Sequence, residues 1–326
     1  MMRPLPLGIL LGLAMLASLL LGYQSVALTS LLKVGTSPAL QHLLWEYRLP
    51  RMLIAPVCGA ALALAGCLLQ TTTRNPLVAP DVLGINAAAS CCVVLVLACY
   101  PSLGLFWLNG LAFVAAVAMM LLLHGLLRQM TDRGSTVRLP LLGTVLAMLF
   151  AAITQTVITL DPATQDQALS WLAGNIAGRS LFQLAVASPW LLAGCAGCVW
   201  LARRLDLFYL GDAQVRALGY HVDRLRQVAM ISASLLVAGV VSVVGPLGFI
   251  GLLVPLMVRR AGCRQHRQLL PLVALLGALL LTLADVLARF VLYPEDIPVG
   301  VVTALIGGPV FLFLLYRAPR GGQYVG

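Results

Sequence analysis

From Val82 to Leu127 the chain carries no Asp, Glu, Lys or Arg, and from Gln227 to Val258 again none. A soluble fold of this length cannot cover its surface with so few charges. Of the 326 residues, 61% are hydrophobic and only 10% charged. Several apolar runs approach the ~20 residues that cross a bilayer. Spans are expected near 6–27, 51–70, 82–100, 105–127, 139–160, 182–201, 227–244, 245–258, 269–291 and 299–316, with 245–258 short. No strand-like alternation is present, and lipid offers backbone groups no partner outside the segment. The fold class is therefore all-α: a polytopic membrane protein of about ten helices, in a single transmembrane domain over 1–326.

The basic residues alternate with the spans. With the amino terminus inside, the inner segments hold Arg3, Arg74, Arg128, Arg133, Arg138, Arg203, Arg204, Arg216, Arg224, Arg226, Arg259, Arg260, Arg264, Arg267, Arg317 and Arg320. Lys33, Arg48, Arg51 and Arg179 fall outside, and Arg289 lies within a span. By the positive-inside rule both termini are cytoplasmic. The net charge of +10 then reports topology, and nucleic acid is not expected as a partner. Arg3 before an apolar run could also open a cleaved signal peptide; losing that helix would place the arginine-rich loops outside, so an uncleaved first helix is expected.

Much chemistry is missing. The single lysine, Lys33, precedes Val34, so no phosphate-binding loop exists and the chain cannot hydrolyse ATP by that route. The four histidines form no catalytic or zinc pattern. Six of the eight cysteines lie inside spans, and the Cys195–Cys198 pair has no second pair beside it, so packing explains them better than a metal. No cofactor is expected. Ala55, Gly59 and Ala63 set small residues on one helix face, which suits close helix contact.

A few polar positions stand out. Asp285 and Arg289 lie in the ninth span with i, i+4 spacing, as a self-neutralised pair or as an outward-reaching arginine with a partner. Arg48-Leu49-Pro50-Arg51 opens the second span, where two arginines oppose the helix dipole; they are snorkelling anchors or a carboxylate-recognising patch. Asn75 and Leu77 in Arg74–Asp81, with Ser135 and Thr136 before the fifth span, are inner-gate candidates. Gly245–Gly251 breaks a long apolar run, a frequent mark of a translocation path. The charged segment 203–227 holds two short helical turns. Asp206 is expected to cap the first. Asp212 as cap and Gly219 as stop bound a helix over 213–218, with Leu207, Leu210, Val215 and Leu218 as apolar contacts. It reads as a docking knob for a cytoplasmic protein.

These residues resemble a known family. RLPR (Arg48–Arg51), GAALALAG (Gly59–Gly66), Gln70, RNPLVAPDVLGIN (Arg74–Asn86), WLAG (Trp171–Gly174), LGDAQVRALG (Leu210–Gly219), FIGLLVP (Phe249–Pro255), ADVLAR (Ala284–Arg289) and PVGVVTALIGGPVF (Pro298–Phe311) are similar, in order, to the iron-chelate and cobalamin permeases of ABC importers. The similarity is nearest to ferric citrate and ferric siderophore members, with cobalamin or haem permeases as alternatives. It implies a type II importer permease fold of ten spans, paired with an identical or homologous permease subunit. It also implies two cytoplasmic ATP-binding subunits and an outer substrate-binding protein. Arg48, Arg51 and Arg289 would meet that binding protein. Asn75, Leu77, Ser135 and Thr136 would form the inner gate, and Asp206, Leu210, Asp212, Val215, Leu218 and Gly219 the ATPase-coupling turns. Leu256 stands where the family usually has His. A secondary transporter using Asp285 as an ion site is the alternative from another class.

Overall fold

The computed structural model describes residues 4–21, 42–129, 138–292 and 295–316. Among them the chain is a bundle of helices with a single isolated strand-like bridge, Leu292 with Glu295. In order these are α1 (Pro4–Leu20), α2 (Leu49–Thr73), α3 (Ile85–Cys99), α4 (Leu105–Gln129), α5 (Arg138–Leu160), α6 (Pro162–Leu172), α7 (Leu181–Leu201), α8 (Asp212–Ala217), α9 (Val222–Val244), α10 (Ile250–Arg260), α11 (His266–Ala288) and α12 (Val299–Tyr316). A π-helical turn, Leu43–Arg48, runs straight into α2. Short 3-10 turns, Pro80–Leu83 and Leu205–Leu210, precede α3 and α8.

Seven helices are long and apolar enough to cross a bilayer: that over 43–73, α4, α5, α7, α9, α11 and α12. The other three expected spans are shorter. The described part of the first, α1, has 17 residues, and 22–27 lie outside the described residues. α3 has 15 residues because Pro80 and Gly84, the latter at φ +69°, hold the preceding segment out of helix. α10 has only 11, because Gly245 (φ +81°) and Pro246 delay its start to Ile250. Non-helical backbone at membrane depth is tolerated where protein covers it or it lines a cavity. The sequence reading gave no helix to 162–172. Its signals were present: Pro162 suits a first turn, and Asp161 binds the Thr164 hydroxyl. α7 opens with a capping box from Ser180 and Gln183.

The helix α2 is the hub. With α9 and α11 it is largely buried, whereas α5 and α12 leave most of their apolar faces uncovered. The stripe of small residues works as expected. A β-carbon added at Gly59 would sit 2.3 Å from the Gly277 carbonyl oxygen on α11, and Ala63 packs at the same place. Further along, one added at Gly66 would sit 1.8 Å from the Gly251 oxygen at the start of α10. Backbones therefore touch at both crossings, which only glycine permits. Over its 25 residues α2 spans ~37 Å, and each end carries one cluster of charge.

Candidate functional site

At the first end, Asp285 is fully buried and held by two guanidinium groups. Arg51 reaches its Oδ1 through Nη2 at 2.8 Å and Nε at 3.2 Å, and Arg289 binds Oδ2. Arg51 also binds Asp296, which is partly exposed. Arg48 and Arg289, 5% and 6% exposed, donate into the carboxyl end of α1. Arg48 reaches the Leu19 oxygen at 2.6 Å and that of Leu20 at 2.8 Å. Arg289 reaches the Ser18 oxygen at 2.6 Å and that of Leu21 at 3.0 Å.

The last carbonyls of a helix lack internal partners and its carboxyl end is partially negative, so cations belong there. Of the two arginines that oppose the dipole of α2, Arg48 serves the opposite pole of α1 together with Arg289, while Arg51 is taken up by Asp285 and Asp296. Arg48 and Arg289 turn inward; Arg51 alone of the three shows an edge to the surface, its side chain 11% exposed. The geometry matches the self-neutralised version of the Asp285–Arg289 pair. Arg179 is likewise buried, against the Asn175 oxygen and the Asn109 side chain, and burial pulls its guanidinium down to about 10.

At the second end, Leu205, Phe208 and Val215 face inward and fix the 3-10 turn and α8 onto the bundle. Leu210, Leu218 and Tyr220 face out and stay exposed. Tyr209 is half exposed, with its ring 5.5 Å from that of His266, and partial burial raises its phenol above the ordinary value. Two capping expectations need correction. The helix begins at Asp212, with Gly211 (φ +95°) as its cap residue. The Asp212 carboxylate is drawn instead to Arg74 at 2.5 Å and Arg226 at 3.1 Å, because a guanidinium outcompetes a neutral N–H. Asp206 does not cap its own turn either. It accepts the backbone N–H of His266 at 3.0 Å and so caps α11 from across the fold. Gly219 holds φ +83° just past α8, as a stop should.

Of the gate candidates, Asn75 accepts the Leu77 backbone N–H at 3.0 Å and stabilises the turn after α2. The Leu77 side chain is 48% exposed beside it. Ser135 and Thr136 lie outside the described residues. Among the described residues, no group of three or more His, Cys, Asp or Glu side chains is placed to hold a metal. Leu256 is buried, 4% exposed, with only apolar character to contribute. The sequence reading missed Gln70, Thr71, Arg259 and His266 as one polar cluster; each is unremarkable alone, and nothing local marks them as partners.

The bundle has two shortened spans and a short exposed turn with α8 outside them, and the sequence carries no nucleotide-binding loop. The chain belongs to the FecCD transport family, whose model matches residues 10–317. It is 41% identical over 276 residues to the Fe(3+) dicitrate transport system permease protein FecD of Escherichia coli (strain K12), covering 85% of this chain and 86% of that one. It is 38% identical over 284 residues to the vitamin B12 import system permease protein BtuC of Vibrio cholerae serotype O1, covering 85% and 83%. Among solved structures it is similar to an inward-facing transporter described as of the metal-chelate ABC type, with a TM-score of 0.86 and 28% identity over 97% of this chain and 99% of that one. It is thus a membrane-embedded permease subunit of an ABC importer, and ATP hydrolysis falls to separate subunits.

Proposed function

We propose that this subunit carries an iron(III) chelate, of the ferric citrate or siderophore type, across the cytoplasmic membrane. The observation that carries the reading is the 41% identity to a ferric dicitrate permease along most of both chains. The chemistry agrees: bare Fe³⁺ demands hard oxygen donors, and the long spans offer almost no carboxylates, so iron must cross wrapped in its chelator. The arginine-rich second end faces the cytoplasm by the positive-inside rule, which puts both termini there too. A second permease subunit, two ATP-binding subunits and an outer substrate-binding protein complete the assembly. Reconstituted with those partners, the chain is expected to accumulate ferric dicitrate in an ATP-dependent way and to leave cobalamin outside. Equal uptake of both, or uptake driven by membrane potential without ATPase, overturns the reading. The second outcome would restore the ion-coupled alternative, against which the two guanidinium partners of Asp285 already weigh.

In this reading Asp206, Leu210, Asp212, Val215, Leu218 and Gly219 form the ATPase-coupling turns. Support comes from apolar side chains left uncovered between charged ties, the usual look of an interface core. Leu218→Asp is expected to weaken capture of the ATPase about thirty-fold, the scale of one hot-spot side chain. Pull-down at matched expression checks it. Asn75 and Leu77, with Ser135 and Thr136, form the inner gate, supported by the exposed Leu77 beside a turn fixed by Asn75. Arg48, Arg51 and Arg289 build the binding-protein docking corner. Arg51 and its partner Asp296 offer its surface, and the other two hold its shape.

A further inference from the structure

A line of polar side chains crosses the bundle near its second end. It starts at Asp206 on the coupling turn, whose side chain is 40% exposed, and passes at once into the interior. The Asp206 carboxylate faces the His266 ring at Nδ1, 2.6 Å away, besides accepting the His266 backbone N–H. His266 is wholly buried, and its Nε2 lies 2.8 Å from the Thr71 hydroxyl on α2. Arg259 of α10 donates to that hydroxyl through Nη2 at 2.7 Å, and to Gln70 Oε1 through Nη1 at 2.9 Å. Gln70 donates onward to the Leu252 carbonyl at 3.0 Å.

Leu252 is the residue after Gly251, where α10 touches α2, and three after Phe249. Phe249 sits at φ +67° where the broken segment becomes helix. A bulky aromatic in that region stores strain. The line therefore begins on a partly exposed turn and ends in the first turn of α10, beside Phe249, one of two non-glycine residues at positive φ among the described residues. It joins four elements: the coupling turn, α11, α2 and α10.

Satisfying buried polar groups would account for such a cluster, since unpaired ones are costly. Two features go beyond that. The Thr71 hydroxyl has one proton and two acceptors at 2.8 Å, the Cys67 carbonyl and the His266 ring. With the proton of the ring held on Nδ1 by Asp206, Nε2 can only accept. The line thus has two hydrogen-bonding arrangements. Asp206 also grips both the ring and the backbone of the first residue of α11, so a shift of the turn moves helix and ring together.

We propose that Asp206, His266, Thr71, Arg259 and Gln70 are the link through which force on the coupling turn reaches the break at Gly245–Ile250, with His266 as its positioning residue. This rests on the ATPase-coupling reading above.

The test follows backbone hydrogen exchange in the complete complex, with and without ATP and vanadate. It needs no knowledge of the substrate. In the wild-type complex, exchange is expected to change at 206–219 and at 245–252. His266→Asn keeps a donor near the Nδ1 position and loses the Thr71 contact; Thr71→Val keeps the shape and loses the hydroxyl. Each is expected to cut the nucleotide response at 245–252 by about five-fold, within the range for residues that carry coupling, while that at 206–219 persists. Thr71→Ser, which retains the hydroxyl, is expected to respond as wild type. Thr71 is buried and is separated from the turn by His266, so its pair decides the matter if His266→Asn fails to assemble. The link is overturned if Thr71→Val responds normally, if Thr71→Ser fails with it, or if wild type responds at 206–219 alone. Silence of wild type at 206–219 would overturn the coupling reading itself.

Discussion

Asp285→Ala is expected to destabilise the subunit by ~3–5 kcal/mol, the cost of removing one partner from a buried ion pair. The carboxylate is fully buried and neutralises two arginines at once. Without it Arg51 keeps Asp296, but Arg289 keeps only hydroxyl and carbonyl contacts on α1, and a full positive charge stays buried. The loss should propagate, because that guanidinium and Arg48 hold the end of α1. Thermal unfolding in detergent and the yield of monodisperse protein read the effect. Asp296→Asn is the internal comparison: a partly exposed partner is worth ~0–1 kcal/mol. Equal melting temperatures for the two variants would sink the account of this corner. A double replacement, Asp285→Leu with Arg289→Met, should recover much of the loss, since an apolar pair of similar volume often matches a buried ion pair.

Gly66→Ala is the second large effect, and here two rules disagree in sign. Helix propensity favours alanine over glycine by ~1 kcal/mol inside a helix. Packing opposes it, because the new methyl would sit 1.8 Å from the Gly251 oxygen and 2.5 Å from its carbon. Both atoms are backbone, so no side chain can rotate away. Separating α2 from α10 also stretches the Gln70–Leu252 bond. Overpacking of this kind typically costs ~1–3 kcal/mol and outweighs propensity. Gly8→Ala and Gly12→Ala on α1, where nothing lies within 4 Å, should be neutral or mildly stabilising. A more stable Gly66→Ala protein would show that the α2–α10 crossing is looser than its geometry indicates.

Much of this molecule was legible along the chain. The uncharged runs require helices in a membrane, and α4, α5, α7 and α12 begin and end within two residues of where hydropathy puts them. Ala55, Gly59 and Ala63 marked the close helix face. Gly219 marked the end of α8, and the ordered motifs carried the family resemblance. What failed locally failed for identifiable reasons. α10 is short because Pro246 and Gly245 override an apolar run. α6 was passed over because a membrane reading looks for apolar length, and Asp161 and Asp166 break it.

Hydropathy, periodicity and turn chemistry are properties of neighbouring residues, so the sequence by itself determined a polytopic helical membrane protein and the position of the short helix over 212–217. Partner choice is different. Whether Asp212 caps its helix or binds Arg74, whether Arg289 points to solvent or into α1, and whether His266 meets Asp206 depend on groups some 60 to 270 positions away. A buried charge takes whichever strong partner the packing brings within ~3 Å, and only the tertiary structure decides which one that is.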